Sequence, residues 1–280
     1  MKVKKFLLII IFILLVTSSL LYITSKEKDV KILIIGTETY PFEFYNNSKI
    51  VGIDIDFIDK IFSKMNLDYE IKMSDWETAL NLMKSGEGDL ILGVGYSKER
   101  EEFLSYTDSQ KEAAKLGVPS EDALWVTAER FFYKPERTLD LTSYESIKEN
   151  EYRIGIVNGY NYFDRLWTSG FNFYSYKNTK DLIEGLDKGE VDLIVLDLIE
   201  GSATIEELGY SDKIISQDKA LDLSANYLVF SKKYEKNHQD IKERFYKELI
   251  RLKKEENLHN ILYKKYLNQT FTEMFGDLRQ

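Results

Sequence analysis

Two copies of one short pattern set the frame for everything else in this chain. From Leu80 to Arg100 the run LNLMKSGEGDLILGVGYSKER reads as the end of an amphipathic helix, a glycine stop at Gly86, and a tight turn. An apolar strand from Leu90 to Val94 follows, and then a polar strand end carrying Tyr96, Ser97 and Arg100. About a hundred residues later LIEGLDKGEVDLIVLD, Leu182 to Asp197, repeats the pattern: Gly189 stops the helix and Asp192 opens an apolar strand. The two cores align as GEGDLIL and GEVDLIV. Ligands of open α/β sheets bind beyond the carboxyl ends of the strands, so each copy is expected to deliver one charged side chain to a ligand position. Arg100 comes from the first and Asp197 from the second, a cation and an anion facing each other across a cleft.

With 280 residues, 44% hydrophobic and 14% aromatic, the chain can bury a large core and is long enough for two lobes. Its formal charge is −9, and removal of Lys2, Lys4 and Lys5 with a leader takes it to about −12, which argues against a nucleic-acid partner. The absence of cysteine excludes disulfides, thiolate metal sites and thiol nucleophiles. His238 and His259 are the only imidazoles; both fall in a Lys/Glu-rich helical stretch and are expected at the surface. No cofactor and no metal site is expected.

Residues 1–25 combine three lysines with an apolar run from Phe6 to Val16 and a second short apolar patch, the pattern of an export signal. No A-x-A cleavage site follows, and Phe6 to Ile23 is 18 residues, close to the length that spans a bilayer. Cleaved leader and retained anchor are both open. Either way the remainder is expected outside the cytoplasm, in the periplasm or its equivalent.

Lys31 to Gly36 is a buried first strand. The stretch TETYPFEFYNNSKIVGIDIDFIDKIFSKMN then holds an aromatic loop with Pro41, a turn at Asn46 and Asn47, and a helix from about Asp54 with an apolar stripe of Ile55, Ile58, Ile61 and Phe62. Asp68 to Met73 alternates as a strand, and Trp76 to Lys84 is the helix that feeds the first repeat. This βαβα order argues for a largely parallel sheet.

The string TYPFEFYNNSKIVGIDIDFIDKI, the Trp76 helix and GDLILGVGYSKER together resemble the extracytoplasmic solute-binding proteins of polar amino-acid ABC transporters, solute-binding family 3. The family pattern is roughly a YPPFEF loop, a G-x-D-x-D helix start, and a G-x-x-D strand ending in T-x-x-R. The likeness covers nearly all of residues 30–270. It implies an α/β, two-lobed, type 2 periplasmic-binding-protein fold with two crossover strands as hinge. The expected division is residues 30–124 plus 228–270 for lobe 1 and 125–227 for lobe 2. The crossovers fall near 125–133 and 221–231, and 271–280 is a tail. The implied partners are an amino-acid-like small molecule and a membrane ABC permease, and a monomer is expected.

Two departures from the family pattern bear on the ligand. Residues 101–122 are polar and helix-prone where the family has a short aromatic strand end, and they lie on the ligand side of the cleft. After Asn158-Gly159, where the family commonly places Ser or Thr, this chain has Tyr160 with Asn161 and Tyr162 behind it; a phenol there reshapes the pocket.

Free amino acids are zwitterions, so a site for them needs a fixed cation and a fixed anion. A guanidinium makes two parallel charge-assisted hydrogen bonds to a carboxylate, which suits Arg100, and Asp197 suits the ammonium. Asp197 interrupts the run VDLIVLDLI and either faces the ligand or caps the next helix. Tyr40, Gly95, Ser97 and Tyr160 are the further candidate contacts, Tyr40 as a cleft wall and Gly95 as a place where backbone N–H groups approach an anion. Trp76 is read as helix packing, and Asp89 and Asp192 as structural turn carboxylates. The expected function is capture of a small polar solute for ABC uptake, without covalent chemistry. Two alternatives share the fold: a ligand-sensing receptor, and a cyclohexadienyl-dehydratase-like enzyme using Glu38 or Glu43 as general acid.

Overall fold

The computed structural model describes residues 31–160, 170–218, 221–255 and 257–269. The export segment, the helix expected from about Asn161 and the tail to Gln280 lie outside the described residues. The first strand, β1 (Ile32–Thr37), runs parallel to β4 (Tyr69–Ser74) on one side and β5 (Leu90–Val94) on the other. Between β1 and β4 come the hairpin β2 (Phe44–Asn46) and β3 (Lys49–Val51), then helix α1 (Ile53–Met65). Helix α1 buries Ile53, Phe57, Ile58, Ile61 and Phe62, the i, i+4, i+5, i+8, i+9 spacing of one helical face. Helix α2 (Trp76–Ser85) starts on an Asp75 cap, whose carboxylate accepts the Thr78 N–H, and stops at left-handed Gly86.

The second repeat builds the same arrangement. Strand β8 (Arg153–Val157) is parallel to β9 (Asn172–Tyr176) and to β10 (Leu193–Asp197), with helix α5 (Thr179–Asp187) leading into β10. Each repeat strand lies between a parallel neighbour and an antiparallel crossover: β5 against β12 (Asp222–Ser231), and β10 against β7 (Trp125–Tyr133). The crossovers also pair with each other, Asn226 opposite Trp125, so β12 leaves β7 after Asn226 and joins β5 from Tyr227. One continuous ten-stranded sheet with two halves results. In the expected polar stretch, β6 (Leu104–Ser105) pairs with β12, and helix α3 (Asp108–Leu116) starts on a Thr107–Gln110 capping box.

Helices cover both faces of each half. Helices α1, α8 (Gln239–Glu255) and α9 (Leu258–Leu267) bury one face of the first half, and α2 packs on the other. Helices α5 and α6 (Leu198–Glu207) cover a face of the second, with α4 (Tyr144–Glu149) on the opposite side. Helix α7 (Lys232–Glu235) links β12 to α8. Among the described residues no helix is long and apolar enough to cross a membrane.

The histidines depart from expectation. His238 stacks on Tyr234, and half-buried His259 meets the Phe57 ring edge-on and hydrogen-bonds the Leu124 carbonyl through Nε2. Both are packing residues: His259 lies on the core-facing side of α9, and His238, in the connection between α7 and α8, folds back onto the Tyr234 ring. Phe42, fully buried, stacks on Trp125 with ring centroids 3.8 Å apart, tying the aromatic loop to the first crossover. Phe42→Ala is expected to cost about 3–5 kcal/mol of unfolding free energy, read from the denaturant midpoint; a loss under about 1 kcal/mol would show that the contact is dispensable.

Candidate functional site

The carboxyl ends of β5 and β10 open on a common cavity of about 60 Å³ whose lining includes Arg100, Asp197, Glu43, Glu129, Glu200, Trp76 and Tyr160. A larger cavity of about 380 Å³ adjoins it, walled by Tyr40, Phe44, Trp76 and Tyr160 with Glu38, Asp75, Lys177 and Lys180. Thr37, Trp76, Tyr160 and Glu200 line both and form the neck between them.

Arg100 reaches the cavity because the chain after β5 folds into a short 3-10 turn (Arg100–Glu102). Ser97 Oγ accepts the Arg100 N–H at 3.2 Å, which orients the turn. The guanidinium is 7% exposed; Nη1 donates to the Gly95 carbonyl at 3.2 Å, and Nη2 donates to the Gly159 carbonyl at 2.7 Å. It also lies 5.1 Å from the Trp76 ring, within cation–π range. Trp76 Nε1 donates to the same Gly159 carbonyl at 2.9 Å, so two donors from the first half of the sheet converge on one acceptor from the second.

Asp197 ends β10 and caps α6: Oδ1 accepts the N–H groups of Ile199 at 2.8 Å and Glu200 at 3.0 Å. Its other oxygen, Oδ2, is buried with no hydrogen-bond partner among the described residues. The two readings of Asp197 are therefore compatible, since one oxygen caps the helix, the other is left over, and the residue lines the cavity. Burial pushes its carboxyl well above the usual range, against the two backbone N–H bonds, and Glu200 and Glu129 push it further.

The remaining carboxyl groups arrive from three directions. Gly52 sits at φ +142°, and a Cβ there would lie 2.0 Å from the Phe42 carbonyl oxygen. Only glycine permits that approach, through which the Ile53 and Asp54 N–H groups bond the Pro41 and Phe42 carbonyls. The contact brings Glu43 beside Asp54, whose Oδ2 also accepts from Trp125 Nε1 at 3.3 Å. Burial raises Asp54 to about 7 and Glu43 well above its usual range, with Asp54 adding to the latter. Glu129 stands opposite Asp197 in the β7–β10 ladder. Glu200 Oε1 accepts from Tyr160 at 3.3 Å and from the Thr179 hydroxyl, and burial raises it to about 7.

The structure thus brings Arg100, Asp197, Gly95 and Tyr160 to one cavity and puts Tyr40 on the wall of its neighbour. Ser97 lies outside the lining of both cavities and serves the turn instead. The Gly95 carbonyl accepts from the Arg100 guanidinium and the Tyr106 hydroxyl. Trp76 packs against the core of the first half as expected for the start of α2, and its indole also lies over Arg100 and reaches the Gly159 carbonyl of the second half. Asp89 and Asp192 hold turns as expected; Asp89 accepts the Leu33 N–H, and Asp192 is clasped by Arg137 and Arg153. Among the described residues no cluster of His, Asp or Glu has metal-binding geometry.

Residues 33–269 match the profile of the bacterial extracellular solute-binding proteins, family 3. The probable amino-acid-binding protein YxeM of Bacillus subtilis is 23% identical over 97% of this chain and 98% of its own length. Among solved structures, a histidine kinase sensor domain with similarity to periplasmic binding proteins superposes with a TM-score of 0.72 at 16% identity, covering 88% of this chain and 99% of that one. The arginine-, lysine-, histidine-binding protein ArtJ of Geobacillus stearothermophilus gives 0.66 at 20% identity, covering 86% and 96%. The fold is accordingly the two-lobed periplasmic-binding-protein type with a crossover hinge, and the matching family and relatives are binding proteins rather than enzymes.

Proposed function

This chain belongs to the bacterial extracellular solute-binding proteins of family 3, and on that footing we propose that it captures a free amino acid between two hinged lobes and hands it to a membrane ABC permease. The observation that carries the reading is the delivery of Arg100 and Asp197, from matching ends of the two repeats, to the lining of one cavity. Arg100 takes the ligand carboxylate and Asp197 Oδ2 the ammonium, while Trp76 and Tyr160 wall the side chain. In this proposal residues 30–124 and 228–270 form one lobe and 125–227 the other. They turn about the crossovers near 125–133 and 221–231, where β12 changes partner between Asn226 and Tyr227. Residues 1–25 deliver the chain outside the cytoplasm as a leader or anchor, and the protein acts as a monomer.

A thermal-shift screen of the common amino acids tests this, since a ligand bound only by the folded form stabilises it by about 2.7 kcal/mol at a hundredfold excess over Kd. At least one amino acid is expected to raise the Tm by several degrees. No shift from any at 10 mM would sink the reading. The likeness to the sensor domain favours a second reading, in which closure signals through a membrane partner. Retention of residues 1–25 in the membrane fraction, with no permease recovered on the purified protein, would select it.

A further inference from the structure

We infer that Asp54, which lies outside the lining of both cavities, acts on the site through Glu43: the two buried carboxyl groups share one proton, carried by Glu43, and the cavity thereby presents a neutral group to the solute's carboxylate. The inference rests on the amino-acid reading for its consequence and on the pair alone for its chemistry.

Glu43 and Asp54 are 2% and 0% exposed, and their side chains meet in a hydrogen bond. An ionised carboxyl only accepts, so two of them form that bond only when one carries a proton. Each side chain also keeps one buried oxygen that no N–H or hydroxyl group reaches among the described residues, as two oxygens with the proton between them must.

The surroundings settle which partner holds it. Asp54 sits in the first turn of α1, where the helix dipole favours a negative charge, and its Oδ2 accepts from Trp125 Nε1 at 3.3 Å. Tyr263 of α9 lies in the field of Asp54, and Asp56, on the same helix, is taken up by Lys265 and the Tyr266 hydroxyl. Glu43 lines the cavity; its carboxyl accepts the Thr37 N–H, and a Cβ on Gly93 of β5 would lie 3.5 Å from Oε1. Glu200 of α6 adds a negative field there, and Arg100, Glu129 and Asp197 line the same cavity. Asp54 is thus the better anion and Glu43 the donor. In agreement, burial raises Asp54 to about 7 and Glu43 well above its usual range, with the Asp54 charge adding to the latter. With Glu43 neutral, the lining sets Arg100 against three carboxyls that can ionise instead of four, and the solute's carboxylate meets one negative charge fewer. Asp54 is a positioning residue in this scheme, since without its charge Glu43 releases the proton more readily.

Carbon-13 titration of the side-chain carboxyls in the ligand-free protein tests the pair. Glu43 should stay protonated through neutral pH, and in Asp54→Asn it should titrate about one pH unit or more lower. Glu43→Gln puts a fixed N–H donor in place of the proton. The stability that the proton lends is fully present below about pH 4 and is lost as the pH rises toward the raised value of the folded pair. The unfolding constant of wild type should therefore climb relative to that of Glu43→Gln by about tenfold per pH unit from mildly acid to neutral pH. A constant ratio, or a Glu43 carboxyl already ionised in mildly acid solution, overturns the inference, and the wild-type titration decides should either variant not fold. With an equimolar mixture of the common amino acids as probe, the ligand-induced rise in Tm should fade with increasing pH, and in Asp54→Asn about one pH unit or more sooner than in wild type. Identical profiles overturn the role of Asp54 in binding. A mixture that stabilises neither protein at any pH sinks the amino-acid reading instead, and the carboxyl titration still decides the proton.

Discussion

Arg100→Met is expected to weaken amino-acid binding about thirtyfold or more while leaving the fold intact. The guanidinium is one positive group among four carboxyl side chains, so its loss removes a charge-assisted pair and also turns the ligand carboxylate toward acids alone. Truncating one partner of a buried charge pair costs about 2–5 kcal/mol, which is roughly one and a half to three and a half decades in Kd. Methionine keeps the contact with the Trp76 ring in part and forfeits the bonds to the Gly95 and Gly159 carbonyls. Trp76 Nε1 still serves Gly159, so a fall in Tm of only a few degrees is expected. Arg100→Lys should lie between wild type and Met, because an ammonium keeps the charge and loses the planar fork. Calorimetric affinities within threefold of wild type for Arg100→Met would remove Arg100 from the ligand and with it the proposed carboxylate contact.

Arg100 was legible because two strands that repeat each other, Leu90–Val94 and Leu193–Asp197, each run into a polar residue where an α/β sheet presents its ligands. Asp197 carried a second signal, a carboxylate inside an apolar run, which needs either a cap or a charge partner. The structure supplies the cap and leaves one oxygen over. The same signal was present and unused at Glu129, inside WVTAERFFY on a buried crossover, and at Glu200, one helical turn beyond Asp197. Periodicity places such residues on a buried face but cannot say that strands far apart in sequence turn those faces into one cavity. The second contact of Trp76 is hidden for a related reason. Its position just after the Asp75 cap reads as the apolar start of an amphipathic helix, and the indole N–H finds its acceptor 83 residues away. Ser97 shows the converse, since a hydroxyl three residues before an arginine can serve the turn that holds the arginine.

That distant acceptor makes Gly159 the place where closure of the lobes can be disturbed without touching the ligand. Gly159→Ala has two separable effects. Its backbone lies at φ +78°, where an L side chain costs about 1 kcal/mol or somewhat more, a loss that appears in the Tm whether the lobes are together or apart. The added Cβ would also lie 2.9 Å from Trp76 Cδ1 and 3.0 Å from Nε1, closer than such atoms pack, and Trp76 comes from the opposite lobe. To admit the methyl group the indole must withdraw, which breaks the Nε1 bond and pulls on the Arg100 Nη2 bond to the same carbonyl. The second effect falls on the closed arrangement alone, so affinity should drop between ten- and a hundredfold while the Tm without ligand falls by a few degrees. Small-angle scattering at saturating ligand should give a larger radius of gyration than wild type. In the Gly159→Ala background, Trp76→Ala removes the clash, so the double mutant should lose less affinity than the two single losses combined. Strict additivity would instead mean that Trp76 and Gly159 act separately, and that the indole does not bridge the cleft when the ligand is held.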